Sequence, residues 1–210
     1  MLTAIDIAAV LKEVAADLEN HIEELRQLDA VIGDGDLGVT IKLGSNAIGE
    51  YLDSPAEGNI GRLLVDCGMQ FNKASPSTFG TLLASAFMEA GKTSLGKDEI
   101  DIKDLALMGD SAIDGIKKRG KAEVGDKTML DCLVPAVEAF KKELADGADS
   151  KVALKAAVMA AEEGMKATIP LASKHGRASW HGDNSVGVQD AGATAMYFII
   201  ESFVRHLTPD

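Results

Sequence analysis

Asp29, Asp34 and Asp36 stand within eight residues in the stretch LDAVIGDGDLGVT (28–40), with Gly33, Gly35 and Gly38 set among them. No lysine or arginine falls between Arg26 and Lys42 to neutralise them. Carboxylates held this close raise one another's pKa unless a cation offsets their charge. A hard divalent ion such as Mg²⁺, bound by carboxylates together with phosphate oxygens and water, is the natural counter-charge. The glycines let the backbone turn tightly enough for the acids to converge. The competing reading is an Asp- and Gly-rich turn in which Asp36 caps the following helix. Asp29 favours the metal, because an acid on the apolar approach LDAVIG needs a partner if it is buried. An EF-hand does not fit: counted from Asp34, position 5 is Gly38 and position 12 is Ser45 rather than glutamate.

Three further stretches carry polar groups suited to a phosphate. In NKASPSTFG (72–80), Ser75, Ser77 and Thr78 precede an apolar helix, where hydroxyls and free amides suit a phosphate oxygen. Ordinary capping by Ser77 or Thr78, with Pro76 pre-set before the helix, explains the same residues. In RGKAEVGDKTMLD (119–131), Asp126 or Thr128 reads as a helix cap. In GRASWHGDNSVGVQDAGAT (176–194), Arg177 is a good bidentate partner for phosphate, or else a solvated loop arginine, and His181 has no evident chemistry. The tempting AGKTS at 90–94 is not a Walker A loop. That motif has four residues between its first glycine and its Gly-Lys pair, and Ala86 occupies the glycine's place.

Helices must position these loops. Ile7, Val10, Leu11, Val14 and Leu18 recur at helical spacing, as do Leu154, Ala157, Val158, Ala161 and Met165, and no segment alternates with a period of two. The spacing predicts about eight helices, near 4–27, 38–53, 59–72, 78–91, 101–119, 127–145, 150–173 and 190–207. Short joints favour antiparallel neighbours, so the expected fold is a single all-α domain over residues 1–210, a bundle whose loops pool at one end.

Composition agrees. Of 210 residues, 46% are hydrophobic but only 4% aromatic, which favours helix over sheet. A net charge of −12 repels nucleic acid and anionic membranes, so neither is expected as a partner. Cys67 and Cys132 are expected as reduced, buried thiols. The N-terminal stretch has acids within its apolar run, so it reads as neither a signal peptide nor a membrane span, and a cytoplasmic protein is expected.

Taken together, LDAVIGDGDLG, RGKAEVGDKTMLD and GRASWHGDNSVGVQDAGAT, in this order and spacing, resemble the nucleotide-binding L subunit of the dihydroxyacetone kinase family, nearly end to end. The resemblance implies a barrel of eight antiparallel helices with ADP or ATP bound in the loops at one end. It implies that Asp29, Asp34 and Asp36 hold two Mg²⁺ ions against the phosphates. It places nucleotide contacts at Leu37, Gly38, Val39 and Thr40, at Ala74 and Ser75, and at Gly120 and Met129. Arg177 and the Asp190, Ala191, Gly192 turn complete that set. The ketose would sit on a partner K subunit, as a hemiaminal on a histidine of that partner. In phosphotransferase-linked systems an M-type phosphocarrier recharges bound ADP, whereas in ATP-dependent relatives the nucleotide exchanges.

Three departures accompany the resemblance. Leu37 stands where bacterial members usually have histidine, and it offers a phosphate no hydrogen bond. The glycine-rich phosphate loop is shortened to NKASPSTFG, and the usual QDPGAT reads QDAGAT. Such variation fits a relative acting on another ketose, such as erythrulose. It also motivates the alternative of a non-catalytic nucleotide-binding sensor or regulatory module.

Overall fold

The computed structural model describes residues 1–55 and 59–208. In chain order the elements are β1 (Leu2–Thr3), α1 (Ala4–Leu18), a 3-10 turn (Glu19–His21), α2 (Ile22–Ile32), α3 (Leu37–Asp53), α4 (Ile60–Ala74) and α5 (Thr78–Thr93). They continue with β2 (Glu99–Ile100), α6 (Ile102–Gly120), α7 (Leu130–Ala145), α8 (Ser150–Ala167), a 3-10 segment (Arg177–Ser185) and α9 (Ala191–Leu207). Among the described residues the protein is all-α but for one short antiparallel pair, Leu2 opposite Ile100 and Thr3 opposite Glu99. No helix of the described residues is long and apolar enough to cross a membrane.

The chain forms two compact units. The first comprises Met1–Glu19 and Thr40–Lys121. Here α5 lies between α4 and α6, and small residues bring the backbones close. A Cβ at Gly61 would meet the Gly91 carbonyl oxygen at 2.5 Å, and one at Gly115 would meet that of Ser85 at 2.8 Å. Capping boxes start α1 (Thr3 with Asp6) and α6 (Asp101 with Asp104). Cys67 is wholly buried, and burial pushes its thiol up to about 12.

The second unit comprises Asn20–Val39 and Ala122–Asp210. Helix α7 packs along α8, and both meet α9, which also contacts α2. Here a Cβ at Gly164 would lie 2.2 Å from the Asp131 carbonyl oxygen, so α8 approaches α7 backbone to backbone. Cys132 is buried among these helices, a reduced thiol like Cys67.

Three predicted helix boundaries require correction. The helix predicted over 4–27 breaks at Glu19–His21, where Asn20 and His21 are weak helix formers and His21 instead stacks on Phe198 at 3.7 Å. Its second half runs on to Ile32, so Asp29 lies inside a helix rather than on a turn. The helix predicted over 150–173 stops at Ala167, because Pro170 disfavours helical backbone at Ile169. The helix predicted from 127 starts at Leu130, since the Asp131 carboxylate draws the preceding amides of Gly125 and Thr128 into a turn.

Asp190 caps α9, accepting from the Ala193 amide at 2.7 Å, while its own amide donates to Thr168 Oγ1 at 3.0 Å. The residue keeps part of its surface, but its carboxyl is desolvated and pushed up to about 7. Burial is the main cause; the Ala193 amide opposes it, Asp131 adds to it, and Lys127 opposes it in turn. The ordinary value is 3.8, so between those limits the folded chain holds a proton that the unfolded chain has lost. This contribution to stability is fully present below about pH 4 and is lost as pH rises through 7. Asp190→Asn keeps a capping oxygen without the charge. Urea unfolding in metal-free buffer should therefore show the mutant more stable than wild type at pH 8, with the difference vanishing near pH 4. An equal difference at both pH values would contradict the assignment.

Candidate functional site

The acidic cluster is built by the junction of two helices. Asp29 sits in the last turn of α2, and the Gly33 amide closes that helix on the Asp29 carbonyl at 2.6 Å. Only 33–36 separate α2 from α3. Gly35 takes φ +72°, a left-handed conformation open to glycine, which reverses the chain between Asp34 and Asp36. Gly33 and Gly38 serve by lacking a side chain. A Cβ at Gly33 would lie 2.2 Å from Asp29 Oδ1, and one at Gly38 would lie 2.4 Å from the Ile22 carbonyl oxygen. The Leu37 amide, at the start of α3, donates to Asp29 Oδ2 at 3.2 Å. Asp29 thus receives the first amide of the next helix, the role that the competing reading of the turn gave to Asp36.

This geometry brings the three carboxylates together. One oxygen from each of Asp29, Asp34 and Asp36 lies within 4.8 Å of the others. Asp36 is held above the usual carboxylate range by burial first and then by the charge of Asp34, with Arg177 opposing and Asp29 adding. Arg177 reaches the cluster from the first residue of the 3-10 segment. Its Nη1 lies 2.9 Å from Asp34 Oδ2 and 3.5 Å from Asp36 Oδ2. It is therefore not a free loop arginine, and it supplies the positive charge that the neighbouring sequence lacks. Three converging oxygen donors with no nitrogen or sulfur ligand suit a hard divalent cation such as Mg²⁺.

The other sequence candidates divide by environment. The Leu37 side chain is buried, Gly38 packs on α2, and Val39 is exposed. In the first unit, Thr40 Oγ1 donates to Ser77 Oγ at 3.0 Å, and Ser77 caps α5 by accepting from Gly80 at 3.0 Å. Ser77 therefore satisfies its ordinary capping role and also ties α3 to α5. Ala74 ends α4, Ser75 is buried just beyond it, and Thr78 is exposed in the first turn of α5. Gly120 ends α6 beside Leu82. In the second unit, Met129 is buried at the start of α7. Ala191 and Gly192 form the first turn of α9 after the Asp190 cap. His181 is exposed beside Trp180.

Sequence reasoning passed over Lys127, which is 2% exposed and donates from Nζ to the carbonyls of Leu171, Ser185 and Val188. Asp126, read from the sequence only as a candidate helix cap, instead binds Lys174 at 2.7 Å and His175 at 3.2 Å through its carboxyl. The Lys174 ammonium, the Glu123 amide and then His175 hold Asp126 down at about 2. The available signal was GDKT itself, an Asp-Lys pair in a stretch read only as a helix start.

Comparison with known proteins gives this geometry a family. The DAK2 domain model matches residues 31–205, which spans parts of both units. The chain is 35% identical over 179 residues to the ADP-binding subunit DhaL of the PEP-dependent dihydroxyacetone kinase of Escherichia coli (strain K12), covering 85% of each chain. It is 32% identical over 200 residues to the ADP-binding subunit DhaL of PEP-dependent dihydroxyacetone kinase 2 of Listeria innocua, covering 94% of this chain and 92% of that one. The dihydroxyacetone kinase of C. freundii in complex with AMP-PNP and Mg²⁺ superposes with a TM-score of 0.71 at 26% identity. That match covers 94% of this chain but 33% of the C. freundii chain. The aspartates at the α2–α3 junction therefore sit in a chain that belongs to the DAK2-domain family and is homologous to the ADP-binding L subunits of dihydroxyacetone kinases.

Proposed function

We propose that this chain, acting over residues 1–210 as one nucleotide-binding domain, is the ADP- or ATP-binding subunit of a dihydroxyacetone-type kinase. It passes a phosphoryl group from bound nucleotide to dihydroxyacetone, or a related ketose, held on a K-type partner subunit in the cytoplasm. The convergence of Asp29, Asp34 and Asp36 beside Arg177 carries this reading, because converging carboxylates suit a divalent metal and a guanidinium suits phosphate. The names of the E. coli and Listeria relatives support ADP as ligand and a PEP-derived phosphoryl source. In this reading an M-type phosphocarrier is the second partner. The Mg²⁺ in the C. freundii complex supports the same metal here, with two ions as the proposed number.

The division of labour follows from the chemistry. Phosphoryl transfer asks a protein mostly for positioning and charge neutralisation. Bound Mg²⁺ would supply the charge that offsets the phosphates and the three acids together. Arg177 can exchange its carboxylate partners for a phosphate oxygen, as a guanidinium fork suits either. Backbone amides and hydroxyls at Gly38, Val39, Thr40, Ala74, Ser75, Ser77 and Thr78 are the proposed phosphate contacts, with Leu37 adjoining them, its amide already donating to Asp29. Gly120, Met129 and the Asp190, Ala191, Gly192 turn are the proposed contacts for the rest of the nucleotide. One observation favours the alternative of a non-catalytic sensor: Leu37 is 5% exposed and its amide is committed to Asp29, so that position gives a phosphate no side-chain hydrogen bond.

Nucleotide binding should require the cation, since phosphates alone meet three carboxylates. Calorimetry should show ADP binding with Mg²⁺ and its loss in EDTA; undiminished binding in EDTA would sink the metal bridge.

The same reading separates kinase from sensor. With a K-type subunit and a phosphoryl donor present, Asp34→Asn should cost a hundredfold or more in transfer rate, the scale of one missing electrostatic contact at ~3–4 kcal/mol. Its fold should survive. The lost Asp34–Arg177 pair is solvent-exposed and worth ~0–1 kcal/mol, and relief of repulsion within the cluster offsets it. A fully active mutant, or ketose phosphorylation by the isolated chain, would misplace the chemistry; binding without any transfer would favour the sensor.

A further inference from the structure

The turn 125–128 contains two left-handed residues, Gly125 at φ +92° and Lys127 at φ +62°. Glycine adopts that conformation without steric cost, whereas lysine does so only where its surroundings impose it. Here they do. The buried Asp131 carboxylate accepts from the Gly125 amide at 2.6 Å and from the Thr128 amide at 2.7 Å, fixing the backbone on both sides of Lys127.

The bend sends the lysine side chain inward. Its ammonium has three donors and no acceptor. All three are spent on backbone carbonyls, Leu171 at 3.0 Å, Ser185 at 2.6 Å and Val188 at 2.6 Å. Leu171 precedes Arg177, and Ser185 and Val188 follow it, so one cation grips both ends of the stretch that carries the arginine. Between Ala167 and Ala191 that stretch has no α-helix of its own, only the 3-10 segment kinked at Gly182. Its other ties include Ser173 N to Ser185 Oγ at 2.8 Å, Gly187 N to Ile169 O at 2.8 Å, Lys174 N to Asp126 O at 3.2 Å, and the Asp126 carboxylate on Lys174 Nζ at 2.7 Å and His175 Nε2 at 3.2 Å. Taking an ammonium out of water for neutral carbonyls is costly. A methionine of similar length would fill the space without that cost. The lysine's advantage is the three-point grip.

We propose that Lys127 is a positioning residue of the site: its ammonium clamps 171–188 so that Arg177 faces Asp34 and Asp36, and it thereby sets the affinity for the magnesium complex of a nucleoside diphosphate without touching it. The proposal rests on the nucleotide-binding reading above.

Trp180, the chain's only tryptophan, lies inside the clamped segment at 83% exposure and reports its order directly. The full chain and its Lys127→Met variant are compared by circular dichroism, Trp180 fluorescence anisotropy and calorimetric titration with MgADP, each also in an Arg177→Ala background. Lys127→Met should retain its helical signal, lower the Trp180 anisotropy and weaken MgADP about 10–100-fold, the usual scale for groups that orient a ligand-binding side chain. In the Arg177→Ala background the same substitution should cost much less, because the group it positions is gone. A lysine with a merely structural role would cost the same factor in both backgrounds, which overturns the proposal, as does unchanged anisotropy. Failure of wild type to bind MgADP would sink the nucleotide reading instead, and the anisotropy would still decide whether Lys127 holds the segment. If Lys127→Met loses helical signal, Lys127→Gln, which keeps a buried donor, replaces it and the same readings decide.

Discussion

Repulsion among Asp29, Asp34 and Asp36 is the constraint around which this end of the second unit is organised. Three carboxylates with oxygens inside 4.8 Å repel one another, and a counter-charge relieves that repulsion. The protein contributes one such charge itself, Arg177, from a segment 141 residues beyond Asp36 in sequence. It contributes a second offset in the Leu37 amide on Asp29, at the start of α3, where the helix dipole favours negative charge. These two contacts are partial. The Asp36 carboxyl still lies above the usual carboxylate range, through burial first and then the charge of Asp34, and the repulsive part is what a divalent cation would relieve.

Holding strained chemistry requires rigid surroundings, and the supports form a chain of dependence. Gly33 and Gly38 let α2 and α3 meet closely enough for the acids to converge. Arg177 rides on a 3-10 segment between α8 and α9, and contacts from outside that segment add to its order. Asp131 shapes the 125–128 turn, the turn directs Lys127 inward, and Lys127 grips the segment. Asp126 adds a second tie through Lys174 and His175. An uncompensated acidic cluster and a buried lysine on neutral carbonyls are both poor contributors to stability. Their presence in one unit is intelligible as pre-organisation for a ligand.

How much of this was legible in the sequence differs by residue. The helices were, because residues such as Leu154, Ala157 and Ala161 keep the 3.6 period and bury on that face. The acidic cluster was, because its members are neighbours in sequence and the glycines mark a tight turn. The break at Glu19–His21 was not: it depends on His21 stacking against Phe198, a contact no local pattern encodes. The place of Arg177 was read only through family resemblance, since nothing near it in sequence announces the acids it meets. Lys127 escaped altogether. A lysine in a polar turn looks solvated, and only the fold shows three carbonyls converging on its ammonium. Asp29 was assigned to the cluster, but its second role, receiving the first amide of α3, needed coordinates.

If the three aspartates form a metal receptor for a nucleotide's phosphates, crystals grown with ADP and with Mn²⁺ standing in for Mg²⁺ reveal it in their anomalous difference density. Anomalous peaks should lie within bonding distance of Asp29, Asp34 and Asp36, with the ADP phosphates against them. Ordered ADP with no manganese at these carboxylates, or manganese bound only elsewhere, would contradict it.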